Sequence, residues 1–257
     1  LARVHGEIGD FESAIELYER AGRVASAGVT LRDLEQLANY RSRLGAKQEN
    51  GREIRSSIAD LKRLLKQHGE TTERLSLLGA AHKRAAGLAE DRPALRDEIR
   101  GMTAAYERAA DLRESNWYYP ASNALLGIVL LGGPWGRKPR KGTVAAENYE
   151  ACAWSTRSSF DDIVEQVRSA LRRQSFNSFW DAVALPDLEV VKALADGDIS
   201  NHLDQLTTGY GRVIKTFGSG REVDSVIGQW VFARKVAERL GNRKDGDALL
   251  KLADDST

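Results

Sequence analysis

Residues that could carry out nucleophilic or metal chemistry are few in this sequence and lie far from one another. A zinc site needs several Cys or His ligands at close spacing, and a nucleophilic cysteine needs a base beside it. The four histidines show no H-E-x-x-H spacing, and there is a single cysteine. These residues are His5, His68, His82, His202 and Cys152. We therefore predict no metal, no cofactor and no catalytic cysteine, and we interpret Cys152 as a small core residue.

A short glycine-rich segment resembles a phosphate-binding loop but lacks the parts that such a loop needs. Residues 218–221 read Gly-Ser-Gly-Arg and precede a predicted helix, as anion-binding helix N-termini do. No Lys-Ser/Thr pair follows and no strand precedes them. We interpret Ser219 or Gly220 as a helix cap, and the adjacent acids Asp161 and Asp162 as helix-start charges. No catalytic constellation remains, so we predict that the chain is not an enzyme.

The segment 132–142 is the most function-like surface in the sequence. It combines glycine and proline breakers with one tryptophan and four cations. The residues are Trp135, Arg137, Lys138, Arg140 and Lys141. This mixture would suit a phosphate-rich or acidic partner, with the indole available for stacking. The alternative is a solvated loop whose tryptophan packs on the fold.

Composition limits the partners and the compartment. The 257 residues are 42% hydrophobic and 29% charged, which is typical of a globular protein. Because 38 basic residues nearly balance 37 acidic ones, the net charge of +1 does not favour nucleic acid. The longest apolar run, 124–131, is too short to span a bilayer, and there is no signal peptide pattern. We expect no membrane partner and, with a single cysteine, a cytoplasmic protein.

Helical periodicity dominates the chain, and no segment alternates as a strand would. The first helix is predicted to end near Glu7, and Gly45 is predicted to end the third. Pro186 is predicted to break the region 178–195, and residues after Gly241 are predicted to be frayed. The remaining helices are expected at about 11–26, 31–44, 51–68, 72–88, 93–113, 121–131, 143–154, 160–174, 199–216 and 220–240.

The same four residues occur twice, as Tyr18-Glu19-Arg20-Ala21 and as Tyr106-Glu107-Arg108-Ala109. A looser third copy has Ala145, Tyr149 and Cys152. Small residues next to an aromatic at helical spacing indicate places where two helices cross closely. Internal repetition of this kind predicts an all-α, irregular α-solenoid of antiparallel helix pairs.

The motifs around these copies resemble tetratricopeptide repeats. Residues 9–11, which read Gly-Asp-Phe, with Ala14, Tyr18 and Ala21 are similar to the second half of such a repeat. Gly79, preceded by Leu78 and followed by His82, is similar to a first half, and Tyr106 with Ala109 to its second half. The resemblance implies that the aromatic fills the gap between paired helices. Positions 18 and 106 are 88 residues apart, whereas two regular repeats would span about 68.

Two adjacent cations fall where tetratricopeptide repeats line their concave groove. The resemblance places Lys83 and Arg84 there. An arginine fork could hold a peptide carboxylate, and the alternative is an ordinary polar helix face.

A second resemblance rests on the aromatic segment Trp117-Tyr118-Tyr119-Pro120, with Asn123 after it. It is similar to part of the TRAFs-binding region, a tetratricopeptide-like regulatory domain of apoptosis signal-regulating kinases and bacterial multidomain proteins. The segment could be an exposed anchor or a packed corner, with Asn123 bonded to its backbone. We expect helical repeats over 1–69, the TRAFs-binding-type region over 70–241 and a polar tail over 242–257.

Together these features predict a non-catalytic scaffold that binds a protein partner or another domain of its own polypeptide. Because Leu1 already begins a helical pattern, we expect a piece of a larger signalling or defence protein, and the composition is compatible with a bacterial source. The alternative function is a sensor that binds nucleic acid or a phosphorylated ligand through 132–142. The oligomeric state is left open.

Overall fold

The fold of the described residues is entirely helical. Within them, twelve α-helices and no strands form two compact units, Leu1–Leu112 and Arg113–Thr257. The prediction of an all-α solenoid-type fold is thereby confirmed. The computed structural model describes residues 1–24, 28–114, 116–132, 154, 157–173, 178–218, 220–241 and 243–255.

The first unit is a row of six helices in which each packs on the next. The first helices of neighbouring pairs, α3 and α5, also contact each other, as stacked helix pairs require. The six are α1 (Ala2–Glu7), α2 (Phe11–Arg23), α3 (Leu31–Lys47), α4 (Gly51–His68), α5 (Thr72–Leu88) and α6 (Arg92–Asp111).

Side-chain caps set the helix starts in this unit. The Asn50 side chain accepts from the backbone of Arg52 and Glu53, and Thr71 accepts from Arg74. Both helices begin and end where the sequence predicted. The prediction that Gly45 ends α3 is wrong. A Cβ at Gly45 would lie 2.9 Å from Ile54 Cγ1, so this glycine allows α3 to approach α4 instead of ending the helix.

The repeat motifs lie where neighbouring helices cross, between α2 and α3 for the first copy and within the pair α5 and α6 for the second. Ala14 and Tyr18 are buried with Tyr40, and a Cβ on Gly79 would lie 2.8 Å from the ring of Tyr106. Ala109 is also fully buried, while Ala21 is only partly buried. The aromatic-on-glycine contact at Tyr106 is the packing that the resemblance implies.

The second unit surrounds the apolar helix α7. Helices α8, α9 and α11 contact α7, and α12 packs on α10 and α11. At its centre the buried Tyr210 lies edge-on to Trp230 and donates a hydrogen bond of 2.6 Å to Asp187. The six helices are α7 (Tyr118–Gly132), α8 (Phe160–Arg172), α9 (Phe179–Asp196), α10 (Ile199–Phe217), α11 (Gly220–Leu240) and α12 (Arg243–Asp255). Across the described residues, no helix combines the length and apolarity needed to cross a membrane.

Two sequence-derived helix predictions are corrected by the structure. Pro186 lies inside a continuous α9, because its buried neighbours outweigh the roughly 3 kcal/mol cost of an interior proline. The tail predicted to be frayed contains α12, which buries Leu249 and Leu252. The predicted domain boundary at residue 69 stays a prediction, and the helices on either side of it, α4 and α5, pack on each other within the first unit. The helix predicted at 143–154 lies almost wholly outside the described residues.

Candidate interaction surfaces

The two groove cations predicted on α5 are Lys83 and Arg84, and Arg84 forms a hydrogen bond to another helix of the unit. The Arg84 Nη1 donates to the hydroxyl of Ser42 on α3 at 2.8 Å. Ser42 is fully buried and donates in turn to the carbonyl of Asn39 at 2.9 Å. Lys83 is half-buried on the same helix. Arg84 therefore joins α3 to α5, and the use of either cation as a carboxylate clamp stays a prediction.

A buried ion pair between the same two helices was not predicted from the sequence. Arg74 Nε on α5 donates to Glu35 Oε1 on α3 at 2.7 Å, with side-chain exposures of 4% and 9%. The same guanidinium donates to the carbonyls of His68 and Gly69 at the end of α4. In the sequence this ion pair is visible only as one charged residue within the apolar pattern of α3 and one within that of α5. The pair fastens three helices, which is a structural role.

His82 also fastens helices. Its Nδ1 lies 2.6 Å from Glu98 Oε2 on α6, and its ring packs where a Cβ on Gly101 would lie 2.7 Å away. His82 therefore packs between α5 and α6. In the part of the chain that the structure describes, no group of three His, Cys, Asp or Glu side chains could hold a metal ion.

The aromatic segment of the second unit divides into a buried part and an exposed part. Tyr118 is buried, and its hydroxyl donates to Asp181 Oδ1 on α9 at 2.8 Å. Burial, together with the neighbouring Asp181 carboxylate, raises the pKa of Tyr118 to about 12, so the phenol stays protonated at neutral pH. Asp181 also accepts from the Ser178 hydroxyl at 2.7 Å. This network fixes the start of α7 against the start of α9.

Two large aromatic side chains flank that hydrogen bond and face solvent. Tyr119 follows Tyr118 and is 47% exposed, while Trp180 precedes Asp181 and is 49% exposed. The Trp180 ring lies edge-on to the buried ring of Phe179, with 5.2 Å between centroids. Both exposed rings thus belong to residues in the first turn of a helix, α7 and α9.

An arginine–tryptophan stack lies just before α7. The Arg113 guanidinium is 3.9 Å from the ring centroid of Trp117, which is half-buried. Arg113 Nη2 also donates to Gln166 Oε1 on α8 at 3.0 Å. We name Arg113, Trp117, Tyr118, Tyr119 and Trp180 the aromatic corner.

The predicted aromatic segment is part packed and part exposed, and its use as an anchor for a partner stays a prediction. Tyr118 and Pro120 pack inside, and Tyr119 is exposed. The Asn123 amide donates to the Tyr119 carbonyl at 3.0 Å, which confirms its predicted bond to the backbone of this segment. Trp180 was missed, because nothing in the sequence places the start of α9 beside the start of α7.

The predicted basic segment lies almost wholly outside the described residues. Trp135, Arg137, Lys138, Arg140 and Lys141 lie outside the described residues. The same holds for the looser repeat copy at 145–152 and for Ser219. Binding through 132–142 stays a prediction from the sequence.

Comparison with known proteins finds one family model. Residues 10–131 match the family described as Tetratricopeptide Repeats-Sensor. The match begins just before α2, ends within α7 and covers slightly less than half of the chain. No curated protein and no solved structure matches the sequence.

Proposed function

We propose that this chain, a tetratricopeptide-like protein over residues 10–131, is a non-catalytic module that binds a protein partner through its aromatic corner. The family description suggests a protein-interaction or sensor role. We further propose that the partner is a separate protein or another domain of the same polypeptide, and that binding regulates a signalling or defence effector.

The exposed pair of aromatic rings carries this proposal. Trp, Tyr and Arg dominate the energetic hot spots of protein interfaces, because each buries a large area at a low cost in side-chain entropy. The aromatic corner brings these three residue types together, with Tyr119 and Trp180 each about half exposed. Burying half of each ring against a partner would recover apolar area that folding leaves in water.

The aromatic corner is organised before any partner arrives. Tyr118 is anchored on Asp181, Asn123 holds the Tyr119 carbonyl, and Phe179 supports Trp180. Arg113 adopts a φ of 53°, which residues other than glycine rarely adopt. Its stack on Trp117 and its bond to α8 hold that conformation. A surface fixed in this way loses little conformational entropy on binding.

The test compares capture by the parent chain with capture by a variant of the aromatic corner. Tyr119→Ser combined with Trp180→Ser removes both exposed rings and leaves the Tyr118–Asp181 bond intact. Phe217→Ser is the matched control, because Phe217 is an exposed aromatic on α10 of the same unit, outside the corner. Proteins crosslinked to each chain in cells of its source would be identified, and the recovered partner would then be titrated by calorimetry.

We expect one partner to be recovered with the parent and with Phe217→Ser, and to be lost with the double variant. The calorimetric Kd should rise by at least tenfold for each ring removed, because a hot-spot residue contributes about 2 kcal/mol. Recovery of the same partner by all three chains would show that the aromatic corner is not the binding surface. Recovery of no partner by the parent would contradict the interaction function itself.

A further inference from the structure

The outer face of α4 carries five cations in one row. They are Arg52, Arg55, Lys62, Arg63 and Lys66, all exposed, and we name them the basic stripe. Spacings of three, four and seven residues put them on a single side of the helix. The opposite side is buried and apolar, with Ile54, Ile58, Leu61 and Leu64.

Four of these five cations form no ion pair with the described residues. Among the described residues, Arg63 is the one member of the basic stripe with an ion-pair partner, Asp60 at 3.2 Å. In helix α6, which occupies the same place in the next helix pair, two of the four arginines form ion pairs. There Arg100 pairs with Asp97 at 2.9 Å, and Arg108 pairs with Glu70. No acidic residue of α4 lies within the row, because Glu53 and Asp60 fall to one side of it.

We propose that the basic stripe binds the phosphate backbone of a nucleic-acid duplex. Arg52 and Lys66 are about 21 Å apart along the axis, from a rise of 1.5 Å per residue. Over that length a duplex carries about six phosphates on each strand, so phosphates are available for all five cations. Its partner must therefore be a dense, extended polyanion.

The residues between the cations argue against a membrane, a protein or a single strand as the partner. The positions between the cations are Ser56, Ala59 and Gln67, so there is no apolar anchor for a bilayer or for a protein hot spot. No aromatic side chain interrupts the row, and base stacking on single strands depends on aromatics. The basic stripe therefore offers positive charge alone, and this suits a duplex that is recognised through its phosphate backbone. The stripe is in the first unit, and the aromatic corner is in the second.

Salt dependence of binding provides the test. A fluorescein-labelled DNA duplex of about 20 base pairs would be titrated with the full chain between about 50 and about 200 mM NaCl. With five phosphate contacts, log Kobs should fall against log salt with a slope of about −4.5, or about 500-fold over this range. The variant Arg52→Gln/Lys62→Gln/Lys66→Gln should reduce the slope by about 2.7 and leave a change of about 12-fold.

Two further variants separate this row from general charge effects. Arg92→Gln/Arg100→Gln/Arg108→Gln on α6 removes the same net charge and should keep the parent slope. Neutralising Arg137, Lys138, Arg140 and Lys141 should also keep it. If the loop variant loses binding and the stripe variant does not, the contact belongs to 132–142 and the proposal for α4 fails.

Competing polyanions decide the class of partner. Poly-glutamate and phosphatidylserine vesicles at equal negative charge should displace the duplex weakly. If either binds as tightly as the duplex and is lost in the stripe variant, an acidic protein or a membrane is the partner and the nucleic-acid proposal is overturned. A parent chain that leaves the duplex unbound at about 50 mM NaCl overturns it directly. Circular dichroism melting curves confirm that each variant is folded.

Discussion

The aromatic corner and the basic stripe are both exposed surfaces of helical units, but aromatic rings dominate the first and cations dominate the second. In the aromatic corner the one cation, Arg113, is already stacked on Trp117 and bonded to Gln166, and the exposed area is ring surface. In the basic stripe four of five cations make no ion pair within the described residues, and no large apolar side chain lies among them. The first surface should bind by area and tolerate salt, whereas the second should bind by charge and fail in salt.

The buried contacts that support the two surfaces also differ. The end of α4 is held by the buried Glu35–Arg74 pair, so a charge contact supports the stripe from inside. The start of α7 is held by a neutral phenol donating to a carboxylate, and apolar packing surrounds it. Variants that weaken one support and leave the other intact will show whether the two surfaces are independent.

The largest expected effect comes from breaking the buried pair. Arg74→Met leaves the Glu35 carboxylate buried without its partner, and we expect a loss of about 3–5 kcal/mol in unfolding free energy. The double variant Arg74→Met/Glu35→Met should recover most of that loss, because no buried charge remains. Urea unfolding followed by circular dichroism measures both. Equal losses in the single and double variants would show that lost packing, and not the uncompensated charge, sets the cost.

The second effect tests how tightly the repeat crossing is packed. Gly79→Ala would place a Cβ 2.8 Å from the ring of Tyr106, which is closed in by the core. We expect a loss of about 1–3 kcal/mol from overpacking, despite the better helix propensity of alanine. Gly87→Ala is the control, since nothing lies within 4 Å of a Cβ there. It should be neutral or stabilising in the same unfolding assay.

A smaller effect concerns the support of the aromatic corner. Tyr118→Phe removes the hydrogen bond to Asp181 and should lower the unfolding free energy by about 1.5 kcal/mol at neutral pH. Because the folded-state pKa of Tyr118 is raised from 10.0 to about 12, its contribution is complete below pH 10 and is lost as the pH rises toward 12. The difference between parent and Tyr118→Phe should therefore shrink over that interval. A constant difference would contradict the link between this phenol and Asp181.

The smallest expected effect is a gain in unfolding free energy, where the other variants lose it. Arg52 is in the first turn of α4, where the helix dipole disfavours a cation, and Arg55 lies three residues away. Arg52→Gln should therefore raise stability by about 0.3–0.5 kcal/mol while it weakens duplex binding. Lys66→Gln removes the same charge from the last turn, where a cation is favourable, so it should not stabilise. Stabilisation by both variants would mean that mutual repulsion outweighs the dipole.

Local signals in the sequence were enough to place α4 and α5. Asn50 and Thr71 supply caps, and Gly69 at φ 77° ends α4, so short-range chemistry determines those boundaries. The helix ends predicted at Gly45 and Pro186 were wrong for the same reason. Their effect depends on a neighbouring helix, which the sequence does not show.

Surfaces were less predictable than helices. The spacing of the five cations on α4 is visible in the sequence, but whether acids from other helices neutralise them depends on tertiary structure. Trp180 joins Tyr119 at one surface only because α9 begins beside α7. The Glu35–Arg74 pair likewise joins positions 39 residues apart, and no local pattern predicts such a contact.

The buried Glu35–Arg74 pair also limits how this chain can be shortened, recombined or changed by drift. A natural or engineered chimera that takes α3 from one parent and α5 from another separates the pair unless both parents carry it. Single replacements at either position pass through an uncompensated charge, so the two positions should change together or not at all. Crossover points that keep this stack intact therefore fall before α3 or after α5, and α3 to α5 form the smallest exchangeable block.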